Sequence, residues 1–196
     1  MNYQMKPLAC DPAKLTGLSE KLIISHYENN YGGAVKRLNA ITAQLAELDP
    51  VNAPVFVLNG LKREELIASN SMILHEIYFA GLGQDSALSG DLETALIRDF
   101  GSVERWQAEF TAMGKALGGG SGWVLLMYSL RDGKLVNQWA ADHAHTLAGA
   151  TPILALDMYE HSYHIDYGAK AAAYVDAFMQ NIHWEQAAER FGAVRK

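Results

Sequence analysis

The chain of 196 residues contains one cysteine, Cys10. A single cysteine excludes an internal disulfide and a cysteine-based metal cluster, so a transition metal held by this chain would need nitrogen and oxygen ligands. The sequence also has no apolar run of the roughly 20 residues that a membrane-spanning helix requires. It has no basic run typical of a nucleic-acid-binding arm. We therefore expect neither a membrane nor a nucleic acid as a partner.

The composition is that of an ordinary globular protein, with 49% hydrophobic residues, 19% charged residues and a net charge of -6. The length is enough for one or two domains with a substantial core. The first residues do not combine a basic region with an apolar one, as a secretory signal does, and we expect a cytoplasmic location. Residues 1–17 are polar and broken by Pro7, Pro12 and Gly17, which predicts an irregular arm.

The spacing of apolar residues predicts two long helices in the first half of the chain. Ser19 is a suitable N-cap, apolar residues then recur at helical spacing as far as Leu48, and Asp49-Pro50 ends the segment. Gly32-Gly33 marks a place where this helix could bend. We expect a loop at residues 51–60 and a second helix at 61–80. Together the two helices would form an antiparallel hairpin.

The second half of the chain mixes helices with strands. Helical patterns cover residues 86–99, 103–117, 169–181 and 184–192. Apolar runs at 123–130 and 134–141 flank Asp132-Gly133, a strong hairpin signal, and a third short strand fits 153–159. The predicted fold class is α+β. We expect an N-terminal helical-hairpin domain at residues 1–84 and a C-terminal α/β domain with a three-stranded antiparallel sheet at 85–196.

Four side chains are candidate metal ligands. His26 and His75 lie within apolar parts of their helices, where each ring nitrogen needs a partner. Asp157 ends an apolar strand, where an unpaired carboxylate is costly, and His161 follows four residues later. Three imidazoles and one carboxylate suit iron, manganese or zinc. Spacing along the chain leaves open whether the four groups meet.

Several segments resemble the iron/manganese superoxide dismutases. The sequence from Leu18 to Asn39 is similar to the family's first helix with its His-Tyr pair, and residues 69–82 are similar to the segment of the second ligand. Residues 99–126, with a Gly-Ser-Gly-Trp, and 156–178, with an Asp-x-aromatic-Glu-His motif, are similar to later segments. The ending IHWEQAAERF also matches, and the resemblance covers about residues 15–192.

The resemblance implies a fold, a cofactor and an activity. The family's metal ligands correspond to His26, His75, Asp157 and His161, which would hold one iron or manganese per subunit. Family members act as antioxidant oxidoreductases and convert superoxide to oxygen and hydrogen peroxide. They are homodimers, and the resemblance places Glu160 and Tyr163 at the subunit interface.

The chain departs from the family pattern around the expected entrance to the site. A histidine and a tyrosine usual in the family are replaced by Asn30 and Ala34, so Tyr163 would lose its usual histidine partner. Tyr31 is our candidate catalytic replacement for the missing tyrosine, provided that the helix bends at the two glycines. Tyr159 stands where the signature motif has tryptophan. A wider entrance leaves a second interpretation open, a repurposed iron or manganese enzyme acting on a larger substrate or a peroxide.

The residue that would hydrogen-bond the metal-bound solvent is also changed. Ser71, one turn before His75, is too short for this role, so we expect the donor to come from the segment between the second and third strands. His143 is the first candidate there and His145 the second. A histidine in this role leaves the choice between iron and manganese open. We do not expect His164 and His183 to be ligands.

Overall fold

The computed structural model describes residues 2–84 and 86–195. Its first helical run consists of α1 (Glu20–Ser25), a π-helical turn (His26–Tyr31) and α2 (Gly32–Glu47). Ser19 caps α1, because its side chain accepts a 3.1 Å hydrogen bond from the backbone N–H of Leu22. The irregular turn precedes Gly32-Gly33 instead of falling on these glycines. A π turn carries an extra residue and often marks a functional site.

The second helix, α3, spans Val55–Ala80 and begins six residues earlier than predicted. The loop expected at 51–60 is therefore wrong from residue 55 onward. Pro54 has φ −57° and ψ 130° and leads directly into the helix. Val55 and Phe56 are 82% and 74% exposed, so this first turn has no buried face that apolar spacing could indicate.

The second half contains two helices followed by the sheet. Helices α4 (Gly90–Phe100) and α5 (Val103–Ala116) precede strands β1 (Trp123–Ser129), β2 (Lys134–Ala140) and β3 (Ala150–Asp157). The strands are antiparallel in the order β2-β1-β3, and in this register Trp123 is opposite both Ala140 and Asp157. The prediction of an α+β fold with a three-stranded antiparallel sheet is confirmed.

Short helical segments complete the chain. A 3-10 turn (Glu160–Ser162) follows β3 and leads to α6 (His164–Tyr167), α7 (Ala171–Gln180) and α8 (Trp184–Val194). Among the described residues, no helix has both the length and the apolar character that crossing a membrane requires.

The core lies where the sheet meets the helices. Trp123–Met127 of β1 are all buried, because β1 is the central strand. A Cβ on Gly114 of α5 would come within 2.8 Å of Leu156 and 3.1 Å of Val175, so only glycine allows this close approach of α5 to β3 and α7. The carboxyl end of β3 also packs against α3. The expected boundary at residue 84/85 adjoins Asp85, outside the described residues, and stays a prediction.

Candidate metal centre

Four side chains from four different elements meet at one point. His26 begins the π turn, His75 lies near the end of α3, Asp157 ends β3, and His161 lies in the 3-10 turn. One ligand atom from each side chain can be chosen so that all four lie within 4.8 Å of one another. His26, His75 and Asp157 are buried, and His161 is partly exposed. The structure thus brings together the four residues that the sequence marked as candidate ligands.

The Asp157 carboxylate is central to this cluster. Its Oδ2 lies 3.2 Å from Nε2 of His26, 3.5 Å from Nε2 of His75 and 3.2 Å from Nε2 of His161. The backbone N–H of Tyr159 donates to Oδ1 at 2.9 Å. Burial by itself opposes ionisation, but His161 and His26 outweigh it and hold the pKa of the Asp157 carboxyl well below its usual range. The carboxylate is therefore ionised at neutral pH.

The protonation of His75 is determined by its neighbour one turn earlier. Nδ1 lies 2.7 Å from the backbone carbonyl oxygen of Ser71, which can only accept, so Nδ1 carries the proton. Burial, followed by the nearby His26, lowers the pKa of His75 to about 3. His75 is then neutral at physiological pH. Its unprotonated Nε2 points a lone pair toward the Asp157 carboxylate.

This arrangement fits a bound cation. A nitrogen lone pair facing an ionised carboxylate in a buried site is unfavourable unless a positive charge lies between them. Within the described part of the chain, Nε2 of His26 and Nε2 of His75 are buried side-chain atoms without a hydrogen-bond partner, as is Nδ1 of His26. Burial lowers the pKa of His26 as well, so protonation of the rings does not remove the conflict. Three imidazole nitrogens and one carboxylate oxygen form a donor set that suits iron or manganese.

His143, the first candidate for the hydrogen bond to metal-bound solvent, lies beside the cluster. Nε1 of Trp123 donates a 3.0 Å hydrogen bond to Nδ1 of His143. The amide of Asn70 donates to the backbone carbonyl of His143 at 2.6 Å. The His143 ring is 6.1 Å from the His75 ring, and burial lowers its pKa.

Tyr159 stacks between His143 and His161. Its ring centre is 4.9 Å from that of His143 at an interplanar angle of 11°, and 5.4 Å from that of His161 at 16°. Burial, and then the charge of Asp157, raise the pKa of Tyr159 to about 12. A neutral aromatic ring thus connects the two histidines.

Tyr31 is close to the cluster, but its hydroxyl is engaged elsewhere. Its ring is 6.3 Å from the His75 ring at an angle of 22°. The hydroxyl donates to Oε1 of Glu76 at 3.1 Å and accepts from the backbone N–H of Lys6 at 2.8 Å. Burial raises the pKa of Tyr31 to about 12. Its proposed catalytic role stays a prediction.

A pocket of about 350 Å³ leads from the surface to the cluster. Asn30, Ala34 and Ser71, three positions that the sequence singled out, line it together with His143 and His161. Tyr31 is not among the lining residues of the described chain.

The remaining candidates lie outside this pocket. His145 stacks on Trp139 at the surface, with a ring separation of 6.0 Å. Glu160 and His164 are exposed, whereas Tyr163 is 1% exposed and packs against Tyr174 within the single chain. His183 accepts a 3.4 Å hydrogen bond from the N–H of Gln186 at the start of α8.

Sequence reasoning missed part of the pocket lining and one hydrogen bond of the site. Arg37, Ile67 and Ala68 also line the pocket. Arg37 could have been found, because it lies three residues after Ala34 and seven after Asn30 on one helix face. The bond between Trp123 and His143 joins residues 20 positions apart and had no local signal.

The fold and the cluster together define a class: an α+β protein with a candidate mononuclear metal centre of three histidines and one aspartate. The family model of the iron/manganese superoxide dismutase C-terminal domain matches residues 88–190. Over 98% of both chains, the sequence is 82% identical to an iron superoxide dismutase of Cupriavidus metallidurans. It is also 33% identical to an iron superoxide dismutase of Aquifex pyrophilus, over 94% of this chain and 89% of the relative.

A manganese superoxide dismutase of Halobacterium salinarum is 34% identical over 96% of this chain and 94% of the relative. The chain belongs to the iron/manganese superoxide dismutase family. None of these three relatives has a different activity in its name. The alternative of a repurposed enzyme acting on a larger substrate therefore gains no support.

Proposed function

We propose that this protein is a superoxide dismutase that uses one iron or manganese ion per chain. The observation that carries the proposal is the convergence of His26, His75, Asp157 and His161, whose ligand atoms lie within 4.8 Å of one another. Family membership and the 82% identical iron superoxide dismutase support the activity and favour iron as the metal. We propose these four residues as the complete set of protein ligands. Two come from the segment 1–84 and two from 85–196, the division that we propose for the chain.

The reaction requires electrons and protons to be supplied in balance. Two superoxide anions and two protons give one molecule of oxygen and one of hydrogen peroxide. A bound iron or manganese ion supplies a one-electron redox couple between its +3 and +2 states. The chain must bind the anion, hold it in the pocket and deliver protons.

His143 is our candidate for the donor at the site. Because its Nδ1 accepts from the indole N–H of Trp123, the neutral ring carries its proton on Nε2. The ring contacts the pocket that leads to His75 and His161, so this Nε2–H is a candidate hydrogen-bond donor to a water or a dioxygen species there. Stacking on Tyr159 and the bond from Asn70 hold the ring and its backbone in place.

Tyr31 is our second proposed catalytic residue. Its hydroxyl is bonded to Glu76 and Lys6, so a contribution to proton delivery would have to pass through Glu76. The variant Tyr31→Phe distinguishes a catalytic role of this hydroxyl from a purely structural one. A catalytic hydroxyl predicts a fall in turnover of roughly 100-fold, the lower limit of acid–base contributions. A hydroxyl that only stabilises the fold predicts a lower melting temperature with turnover within about twofold.

Dismutase activity of separately iron-loaded and manganese-loaded protein, with metal content measured in each sample, tests the proposed function. Rapid turnover with about one metal per chain is the expected result, and the faster form identifies the metal used. Asp157→Asn is the matched variant, because it keeps the shape of the side chain and removes its charge. Full metal occupancy with negligible turnover for both metals would reject the proposal.

We also propose a homodimer with Glu160 and Tyr163 at its interface. Glu160 is exposed and directly precedes His161, so a contact between Glu160 and a second copy would link that copy to the cluster. Tyr163 can contribute only the small part of its side chain that remains at the surface. Sedimentation equilibrium of the wild type and of Glu160→Ala tests the dimer. A monomeric wild type would contradict it.

A cytoplasmic location is the last part of the proposal. A chain with one cysteine does not depend on an oxidising compartment for a disulfide of its own. Cell fractionation with detection of the native protein tests the location. Its recovery outside the cytoplasmic fraction would contradict it.

A further inference from the structure

The pocket beside the cluster is larger than a diatomic substrate needs. Its volume is about 350 Å³, whereas one water molecule occupies roughly 30 Å³ in the liquid and a dioxygen anion is only slightly larger. A single chain thus leaves more space in this pocket than the dismutase substrate fills. This extra space raises the question of which other ligand the pocket can accept.

Two helices form the walls of the pocket, and small side chains create the space. Five lining residues lie on the first helical run, and four lie on the facing side of α3. They are Asn29, Asn30, Gly33, Ala34 and Arg37 on the first, and Ile67, Ala68, Ser71 and His75 on the second. A Cβ built on Gly33 would meet no other atom within 4 Å, so a larger residue at this position would occupy the pocket.

The polar groups of the pocket favour an anion. None of its lining residues in the described chain is acidic. The Arg37 side chain is paired with Glu64 and is still 60% exposed, and the side-chain amide of Asn30 offers a hydrogen-bond donor at the same pocket.

The apolar part of the pocket lining favours an organic anion over an inorganic one. Ile67, Ala34 and Ala68 line the same pocket, and they offer dispersion contacts but no hydrogen bonds from their side chains. Inorganic anions would leave this surface uncovered. A ligand with one carboxylate and a small apolar body would match both kinds of wall.

We propose that this pocket binds small organic monocarboxylates, with the carboxylate at Asn30 and Arg37 and the apolar body against Ile67, Ala34 and Ala68. Such a ligand occupies the path of superoxide to the cluster and competes with it. The inference deepens the proposed function and rests on it only for this competition, because binding itself can be measured without turnover.

Equilibrium dialysis of iron-loaded protein against radiolabelled benzoate tests the inference. We expect saturable binding of about one benzoate per chain, and at least tenfold weaker binding of benzyl alcohol, which has the same ring and no charge. Dismutase assays in parallel should show competitive inhibition by benzoate. Non-saturable uptake, or equal binding of the two compounds, would overturn the inference.

Two glycine substitutions provide a matched pair. Gly33→Leu places a side chain in the pocket and should weaken benzoate binding at least tenfold. Gly60→Leu is the control, because Gly60 also lies in a helix, its added Cβ meets no atom within 4 Å, and it does not line the pocket. Unchanged benzoate binding by a folded Gly33→Leu protein would overturn the inference.

Asn30→Leu is an independent variant with the same number of side-chain heavy atoms and the same branched shape. It should weaken benzoate binding more than benzyl alcohol binding, because it removes the amide but keeps the packing. An equal effect on both compounds would count against the proposed carboxylate contact. Saturable benzoate binding by protein that does not dismute superoxide would support the pocket and reject the proposed function. Dismutation without saturable benzoate binding would support the proposed function and reject the carboxylate pocket.

Discussion

The indole N–H of Trp123 donates a 3.0 Å hydrogen bond to Nδ1 of His143, and Trp123 is also opposite Asp157 in the sheet. Strand β1 thus connects the candidate donor His143 with the end of β3, where the candidate ligand Asp157 lies. The bond fixes which ring nitrogen of His143 carries the proton, because the indole nitrogen can only donate. A residue of the core therefore determines the protonation of a residue in the pocket.

The first prediction concerns this bond. Trp123→Phe keeps an aromatic ring in the core and removes the donor, so His143 loses its fixed proton position. We expect dismutase turnover to fall by about 10-fold, in the range typical of residues that orient groups around a metal. Metal content should stay the same. The measurements are turnover and metal analysis of the purified variant.

Trp139→Phe is the control for this prediction. Trp139 is 54% exposed and stacks on His145 outside the pocket. Its substitution should leave turnover unchanged within about twofold. Equal turnover of Trp123→Phe and wild type would mean that the indole bond does not matter for the reaction.

The second prediction concerns metal removal. Without a cation, the Nε2 lone pair of His75 faces the Asp157 carboxylate, and both ring nitrogens of His26 lack a hydrogen-bond partner in the same buried site. An unsatisfied buried polar group costs about 1–3 kcal/mol, and 1 kcal/mol corresponds to about 2–4 °C in melting temperature for a chain of this size. We expect the chelator-stripped protein to melt at least about 5 °C lower than the iron-loaded protein in calorimetry.

Re-addition of the metal should restore the melting temperature of the wild type but not that of Asp157→Asn. The variant lacks the charge that makes the empty site unfavourable and that binds the cation. A melting temperature that does not depend on metal would argue against binding of the ion at this cluster.

The third prediction concerns the glycine-rich turn before β1. Gly122 has φ +130°, and a Cβ there would lie 2.1 Å from the carbonyl oxygen of Ala140. Gly122→Ala therefore forces β1 and β2 apart, and we expect it to destabilise the protein by about 3 kcal/mol or more. Urea unfolding measures the loss.

Gly119→Ala is the matched variant in the same turn. Gly119 has φ +81°, but an added Cβ meets no atom within 4 Å. Only the backbone conformation is then unfavourable, at about 1–2 kcal/mol. If the two variants lost the same stability, the contact with Ala140 would not be the reason for glycine at position 122.

The fourth prediction concerns pH and Asp99. This carboxylate accepts a 2.7 Å hydrogen bond from the backbone N–H of Leu135 and pairs with Arg98. Burial opposes ionisation, but Arg98 and the bond from Leu135 outweigh it and lower the pKa of Asp99. The carboxylate therefore stabilises the fold above its ordinary pKa of 3.8, and this contribution disappears as the pH falls through the lower value of the folded state.

Asp99→Asn should therefore lower the free energy of unfolding by about 1–3 kcal/mol at pH 7. The difference from wild type should shrink as the pH drops below 3.8, where the wild-type side chain also becomes neutral. Urea unfolding of both proteins at pH 7 and at a pH below 3.8 measures this difference. Asp91→Asn, at a carboxylate whose side chain is 79% exposed, is the control. A difference that does not change with pH would contradict the assigned charge.

Much of the fold could be predicted from local patterns. The hairpin around Asp132-Gly133 and the cap at Ser19 follow from residues within a few positions of one another, and both agree with the structure. The start of α3 was missed because Val55 and Phe56 are exposed, so apolar spacing gives no signal there. The π turn at His26–Tyr31 was missed because no residue pattern distinguishes a turn with one extra residue from an ordinary one.

The sequence by itself determined which chemical groups are available. They are one cysteine, and three histidines and an aspartate at positions where a polar group without a partner is energetically unfavourable. Residue types and short spacings carry that information. Only the tertiary structure decided that the four groups meet, that Trp123 sets the proton of His143, and that the Tyr31 hydroxyl turns to Glu76. The Trp123–His143 bond and the contact of His26 with Asp157 join residues 20 and 131 positions apart. No local pattern specifies contacts over such distances, because they depend on how distant elements such as α3 and β3 pack.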